Sequence, residues 1–594
     1  MCRIAGIINA AYPINNLKCL VQSMCTTLEH GGPDDEGMFT DTENNLCFGH
    51  RRLSIIDISA AGHQPMLYQQ NRYVITYNGE LYNYLLLKAD LKAMGFQFNT
   101  QSDTEVLLAA YSAWGTAAFE RLEGMFAFAI YDRQLGTVVM VRDAAGIKPL
   151  YYAITKEGLA FASEVRALQL LPYLQQANKE WPVYLMAYGH LPEPITTLKE
   201  VKPLEKGTYL LYDIKAGTKK QVSYFRFTFL EKISVRQEAV LLIKSELEKA
   251  VAQHLISDAP IGVFLSGGLD SSIIALLANK HQSKLKTVSL YFDDNKYSEK
   301  KYQDALKEKL TCNHQQFLLQ ENDFHKFLPA IIQAMDLPCC DGINTWFISK
   351  YAKESGLKAV LSGVGGDELY GGYPSFKRMN TALTLAHLPK AILRTGRFTN
   401  SKKLKRLEYL SIDGAIGKYL FLRGQFIPFE IAKFLGSTEK EVWEILSRQP
   451  QLENISYLTP SNQASWMEIN LYMQNQLLRD ADVMSMAHGV EIRLPFLDKS
   501  FMQLSLMIDS SIKYNGKLAK QLLVDAFKND LPPLVWNRPK MGFTFPFKEW
   551  LSNDQYKGKK PNSPVSDYHT RLKKNELHWS QFFTLHLLKN FGSA

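Results

Sequence analysis

Short apolar runs of β-prone residues recur through the first part of the chain: LCFGHRRLSIID, RYVITYNGE, MFAFAIYD, TVVMVRD and LAFASE. Most are bounded by turn residues, and two stretches with helical spacing interrupt them, near 16–28 and 83–94. Strand runs broken by occasional helices predict an α+β layout with antiparallel sheets. A Pro- and charge-punctuated stretch from about 172 to 230, including EPITTLKEVKPLEKGTYLLYD, reads as connecting chain. After it the rhythm changes. PIGVFL, KTVSLYF, HQQFLL and LKAVLSG are separated by helical lengths, the pattern of a parallel sheet with crossover helices. From about 375 onward the pattern is mainly helical, with a polar, Pro-containing patch near 552–567. No internal repeat is visible. The expected division is a first domain over 2–205, a connector over 206–235 and a second domain over 236–594.

At 594 residues the chain is too long for one ordinary core, which agrees with that division. Hydrophobic residues make up 46% and charged residues 21%, ordinary for a globular protein. The net charge of +9 raises nucleic acid as a partner. The lysines are scattered, however, and their densest clusters (YSEKKY, NSKKLKR, YKGKKPN) lack a nucleic-acid fold signature, so small phosphate-bearing molecules fit better. Seven cysteines without a CxxC pair argue against a disulfide framework or a zinc site. No apolar run reaches about 18 residues and the start lacks a signal-peptide pattern, so the sequence reads as cytosolic, with no membrane partner.

Candidate chemistry begins with VFLSGGLDSSIIALLANK, which runs strand, Gly-rich turn, helix. Ser266, Gly267 and Gly268 let backbone N–H groups converge at a helix N-terminus, which favours an anion. Asp270 would repel a bare phosphate, and a bridging Mg²⁺ resolves this, because Mg²⁺ takes one or two carboxylates plus phosphate oxygens. No GxxxxGK followed by Ser or Thr is present, so this is not a Walker A loop. AVLSGVGGDELYGGY repeats the plan almost a hundred residues later, with Ser362, Gly363, Asp367 and Glu368. Either loop alone could be an ordinary βα turn. Two such turns at strand ends, each with an Asp, would face one nucleoside triphosphate and one metal.

The start, MCRIAGII, holds the other candidate. Removal of Met1 would leave Cys2 with a thiol and an α-amine, groups that titrate near about 8.5 and about 8. A nucleophile with its own amine as base is a known catalytic device. The alternative is a small apolar residue opening an edge strand.

SGGLDSS is the pyrophosphate-loop signature of enzymes that cleave ATP between the α and β phosphates. Together with MCRIAGI the chain resembles the glutamine-hydrolysing asparagine synthetase family, and the match covers nearly its whole length. Further landmarks are HRRLSIID, YNGELYN, LEGMFAFAIYD, RDAAGIKPLYY, NQLLRDADVMSMAHGVEIRLPFLD and NRPKMGFTFPFKEWL. The resemblance implies an N-terminal-nucleophile sandwich of antiparallel sheets between helices. A parallel-sheet pyrophosphate-loop domain with a largely helical C-terminal part would follow. It implies glutamine, ATP and aspartate as substrates and Mg²⁺ as cofactor, and leaves a homodimer open. Cys2 would attack the glutamine amide. Arg52 would pair with the α-carboxylate, Glu80 and Asp103 with the α-ammonium, and Asn78 and Gly79 would form the oxyanion hole. Leu265, Val288, Ser362 and Gly363 match positions around adenosine. Ser266, Gly267, Gly268, Ser271 and Ser272 match the pyrophosphate loop, Asp270 and Asp367 the metal-holding pair. Lys520 in GKLAKQLL matches a lysine that neutralises charge developing in adenylation.

Three positions depart from the family pattern. Val364 stands where an acidic residue is usual, Gly31 makes HGGPD of HRGPD, and Ala144 makes RDAAG of RDRxG. The loss at 364 keeps a second acceptor open, a sugar acid or peptide carboxylate amidated by the same mechanism. Cys2 speaks against the macrocyclising relatives, which need no ammonia. Cys2, Asp270, Asp367 and Lys520 together speak against a non-catalytic nucleotide or glutamine sensor.

Overall fold

The run after Cys2 forms the strand Arg3–Asn9, buried at every position. Both of its faces are covered, which is why it reads as a continuous apolar run and not as an alternation. In the computed structural model, which describes residues 2–9, 11–399, 401–448, 452–542, 544–556 and 564–592, this strand lies inside a six-stranded antiparallel sheet. The order is Lys202–Pro203, Tyr151–Thr155, Gly158–Ala162, Arg3–Asn9, Leu46–Arg52, Asp35–Asp41. The opening strand is therefore central, not an edge.

A second antiparallel sheet runs Thr218–Ser223, Thr208–Asp213, Thr137–Arg142, Gly124–Asp132, Tyr73–Leu81, Met66–Tyr68. Ile4, Ile8, Phe48 and Phe161 of the first sheet meet Val74, Ala129, Tyr131 and Met140 of the second in a core of their own. Helix Ile14–Thr27 covers the outer side of the first sheet through Leu17, Val21, Met24 and Cys25. Helix Tyr84–Ala93 packs against helix Asp103–Trp114, which covers the second sheet. The first two helices fall where the apolar spacing places them. The third escapes that signal because its first eight residues are all buried, leaving no polar face to mark the period.

The range 206–235, expected as connector, carries the outer hairpin of the second sheet, and 224–235 joins it to helix Arg236–His254. TYLLYD alternates buried and half-buried positions as a strand should, but its Pro- and Lys-rich surroundings mask it. Helix Trp181–Tyr188 also lies inside the stretch read as connecting chain, with all residues but Pro182 buried.

The second part holds a five-stranded parallel sheet in the order Cys312–Leu318, Leu285–Tyr291, Ile261–Phe264, Ala359–Leu361, Glu491–Arg493. The chain builds outward from Ile261–Phe264 in one direction, then crosses to Ala359–Leu361 on the other side. This is the topological switch point, where open α/β sheets bind ligands beyond the carboxyl ends of strands. Both Gly-rich loops leave these two strands. The chain beyond 375 is mainly helical. Residues 557–563 of the polar patch lie outside the described residues.

Candidate active sites

Cys2 is buried just ahead of its strand, and its thiol points toward Leu53 O at 3.9 Å. Burial pushes the thiol up to about 11, with Arg52 opposing and Glu80 reinforcing that rise, so all three share one site. Arg52 ends the neighbouring strand, and its guanidinium donates to Ser59 O at 2.9 Å and to Asp57 O. Those two carbonyls fix the group and leave further N–H donors for a carboxylate.

Asn78, Gly79 and Glu80 follow one another on strand Tyr73–Leu81. Both amide atoms of Asn78 are buried with no hydrogen-bond partner. A buried amide so placed is costly unless a ligand completes it. A Cβ on Gly79 would lie 2.3 Å from Met125 O and 2.6 Å from Phe126 Cα, so only glycine fits there. Asp103 accepts from Tyr77 Oη and from Leu81 N, each at 3.0 Å, and burial lifts its carboxyl to about 6 against those bonds. Burial and neighbouring Glu491 push Glu80 well above the usual carboxylate range, against the pull of Arg493. Two carboxylates, a clamped guanidinium and an unpartnered amide, with Arg52 and Glu80 acting on the Cys2 thiol, are complementary to an α-amino acid with a side-chain amide.

The second site lies at the switch point. A cavity of about 1260 Å³ is lined by Leu265, Ser266, Gly268, Asp270, Ser271, Val288, Ser362, Gly363, Asp367 and Lys520, among others. Gly267 and Ser272 are not on its wall, although Ser272 Oγ is buried without a partner. Leu265 N donates to Val288 O at 2.9 Å, holding the two adenosine candidates together. Ser266 Oγ and Ser271 Oγ are 2.9 Å apart across the turn that starts helix Leu269–His281. The two Gly-rich loops touch. A Cβ on Gly363 would lie 2.8 Å from Ser271 N, and one on Gly366 would lie 2.6 Å from Asp270 Cγ.

Lys520 Nζ sits 2.6 Å from Asp270 Oδ2 and 2.7 Å from Asp367 Oδ1. Its backbone is left-handed, with φ of 56°, a costly conformation for a residue with a side chain. Burial works against its ammonium, but Asp270 and Asp367 hold it charged. Burial pushes Asp270 up, whereas Lys520 and Lys540 overcome burial at Asp367 and hold it at about 2. Asp270 Oδ1 has no hydrogen-bond partner. Two carboxylates converging on one cation, one with an orphaned oxygen, fit a hard divalent ion shared with phosphates.

Several residues escaped a role in the sequence although their motifs stood out. Lys540 Nζ reaches Asp367 Oδ2 at 2.7 Å, and Arg538 Nη2 bonds Gly267 O at 3.0 Å and Glu299 Oε1 at 2.8 Å. Both come from NRPKMGF. Arg493, from VEIRLPFLD, places Nη2 3.3 Å from Glu80 Oε2 while its carbonyl accepts from Ser362 N at 2.9 Å. One residue thus touches both sites. Val364 is half-buried in the cavity wall, near Glu368, whose Oε1 accepts from Tyr373 Oη at 2.6 Å. The loop around Ala144 is held by Asp143, which accepts from the N–H groups of Ala145, Ile147 and Lys148.

Residues 242–559 match the asparagine synthase family and residues 1–225 the glutamine amidotransferase domain. The glutamine-hydrolyzing asparagine synthetase 1 of Bacillus subtilis (strain 168) is 32% identical over 93% of this chain and 88% of its own length. The glutamine-hydrolyzing asparagine synthetase B of Escherichia coli (strain K12) is 27% identical over 92% and 82%. Among solved structures, the glutamine phosphoribosylpyrophosphate amidotransferase of B. subtilis superposes with a TM-score of 0.29 at 14% identity, covering 61% of this chain and 81% of that one. With two sites on two joined domains and these matches along nearly its full length, the chain belongs to the asparagine synthase family, with a glutamine amidotransferase domain at its N-terminal end.

Proposed function

We propose that this protein makes asparagine from aspartate, with glutamine as nitrogen donor and ATP as the activating substrate. The observation that most supports the first half is the buried, unpartnered Asn78 amide, two residues before Glu80, whose charge acts on the Cys2 thiol. Cys2 Sγ attacks the amide carbonyl, and the carbonyl electron pair moves to an oxygen held by the Asn78 amide and the Gly79 N–H. With the thiol at about 11 the resting group is protonated, so its proton goes to a base during attack. The α-amine of residue 2 serves once Cys2 is the first residue. The C–N bond breaks, ammonia leaves with that proton, and water releases glutamate from the thioester.

In the second site the side-chain carboxylate of aspartate attacks the α-phosphorus of ATP, and pyrophosphate leaves. Ammonia then attacks the acyl carbon of the adenylate and displaces AMP. Lys520 sets an ammonium against the charge that develops on the phosphate oxygens. Asp270 and Asp367 would hold Mg²⁺, which supplies positive charge to the pyrophosphate when bound. The seven free cysteines fit a reducing, cytosolic setting, and no helix among the described residues is long and apolar enough to cross a membrane.

Val364 favours one second reading, the same chemistry on another carboxylate. Incubating the protein with glutamine, Mg-ATP and a panel of carboxylates, with products read by mass, separates the two. The expected result is asparagine, glutamate, AMP and pyrophosphate in equal amounts, from aspartate alone. Amidation of a different carboxylate supports the second reading, and ADP with phosphate rejects adenylation.

A further inference from the structure

The geometry points to Arg3 as a positioning residue that ties the strand behind Cys2 to the ATP-dependent domain, replacing the guanidinium missing at position 31. This inference rests on the reading of Cys2 as the glutamine nucleophile. Arg3 has no exposed side-chain surface. A buried guanidinium is costly unless paired, and here it is paired on both sides of the domain boundary. Nε lies 2.7 Å from Glu164 Oε1 and Nη1 lies 2.8 Å from Asp482 Oδ2.

Glu164 belongs to the N-terminal sandwich, where it also meets His30 Nε2 and Arg166 Nε, each at 2.9 Å. Asp482 lies on helix Leu478–Met486 of the second domain, with Oδ1 3.6 Å from Lys148 Nζ. Two residues earlier on that helix, Asp480 lines the nucleotide cavity and accepts from Cys339 Sγ at 3.3 Å. One side chain therefore links the residue after the nucleophile to a helix in the wall of the other site.

Position 31 explains why this arginine comes from residue 3. A Cβ on Gly31 would lie 2.6 Å from Arg3 Cγ and 2.8 Å from Arg3 Nε. The two positions compete for one channel, and only one of them has room for a long side chain. Arg3 thus fills the space that an arginine at position 31 would need.

Without the guanidinium, Glu164 and Asp482 face each other across the boundary with one fewer cation between them. The strand behind Cys2 also loses its tie. Misplacing a reacting group by about 1 Å costs on the order of 10²-fold. The test compares the full-length protein with Arg3→Met, Arg3→Gly, and Arg3→Gly combined with Gly31→Arg. The readouts are glutamine-dependent amide synthesis, ammonia-dependent amide synthesis and glutamate formed per amide.

Arg3→Met and Arg3→Gly should lose about 10²-fold of glutamine-dependent turnover and form several glutamates per amide, with ammonia-dependent turnover retained. The exchange variant should recover most of the loss. Native turnover and ratio in Arg3→Met would overturn the inference, as would an exchange variant with ammonia-dependent activity that couples no better than Arg3→Gly. Should these variants fail to fold, Asp482→Asn keeps the shape and removes one charge. A raised glutamate ratio there supports the tie, and an unchanged ratio overturns it. Cys2→Ala separates the two layers. Glutaminase activity that survives Cys2→Ala defeats the nucleophile reading itself. Its loss there, beside native coupling in Arg3→Met, defeats only the role of Arg3.

Discussion

At the scale of single residues the proposed glutamine site is a set of polar groups held away from water, and burial shifts the titration of Cys2, Glu80 and Asp103. Asp103 is lifted to about 6, so below that pH it gains a proton and stops accepting an ammonium group. Glutamine affinity of the Cys2→Ala variant should therefore weaken as pH falls from 7 to 5, approaching about tenfold per unit below the midpoint. Asp103→Asn should bind more weakly at pH 7 and lose that step; calorimetry at several pH values checks both. Val364 carries the second expectation at this scale. If the family's acid assists ammonia attack, a carboxylate restored there is worth up to about 10²–10⁴-fold. With aspartate as acceptor, Val364→Glu should keep or raise the rate of asparagine formation. Loss of amide synthesis in that variant would place an apolar part of another acceptor against Val364. Cys2, Arg52 and Asn78 stand out as candidates in the sequence because each sits in a local motif. Arg3 and Arg493 do not, because their partners Asp482 and Glu80 lie hundreds of residues away in the chain.

At the scale of elements, each Gly-rich loop announces itself, since strand, turn and helix are contiguous in sequence. That the loops touch is a property of sheet order, which puts Ile261–Phe264 beside Ala359–Leu361. Their contact brings Asp270 and Asp367 to one Lys520 ammonium. Asp270→Asn and Asp367→Asn should each raise the Mg²⁺ concentration needed for half-maximal rate and slow turnover, since each removes a formal charge. A Mg²⁺ titration of the ammonia-dependent reaction checks this, and unchanged curves in both variants would contradict the assignment. The hairpin over 208–223 shows the opposite limit of sequence pattern. Its strand Thr218–Ser223 is exposed at most positions and offers no apolar signal, so only pairing with Thr208–Asp213 defines it.

At the scale of the molecule, two sites are useful together only if ammonia made at one is consumed at the other. Arg493 already touches both, through Glu80 on one side and Ser362 on the other. The most direct measurement follows the nitrogen atom. The protein is incubated with amide-¹⁵N-glutamine, aspartate, ATP and Mg²⁺, with Cys2→Ala as the parallel reaction, and products are read by mass. The account predicts ¹⁵N-asparagine together with glutamate, AMP and pyrophosphate in equal amounts. In Cys2→Ala labelled product should vanish, while added unlabelled ammonium still gives asparagine. Labelled glutamine left intact by the native protein, or labelled asparagine persisting in Cys2→Ala, would contradict it.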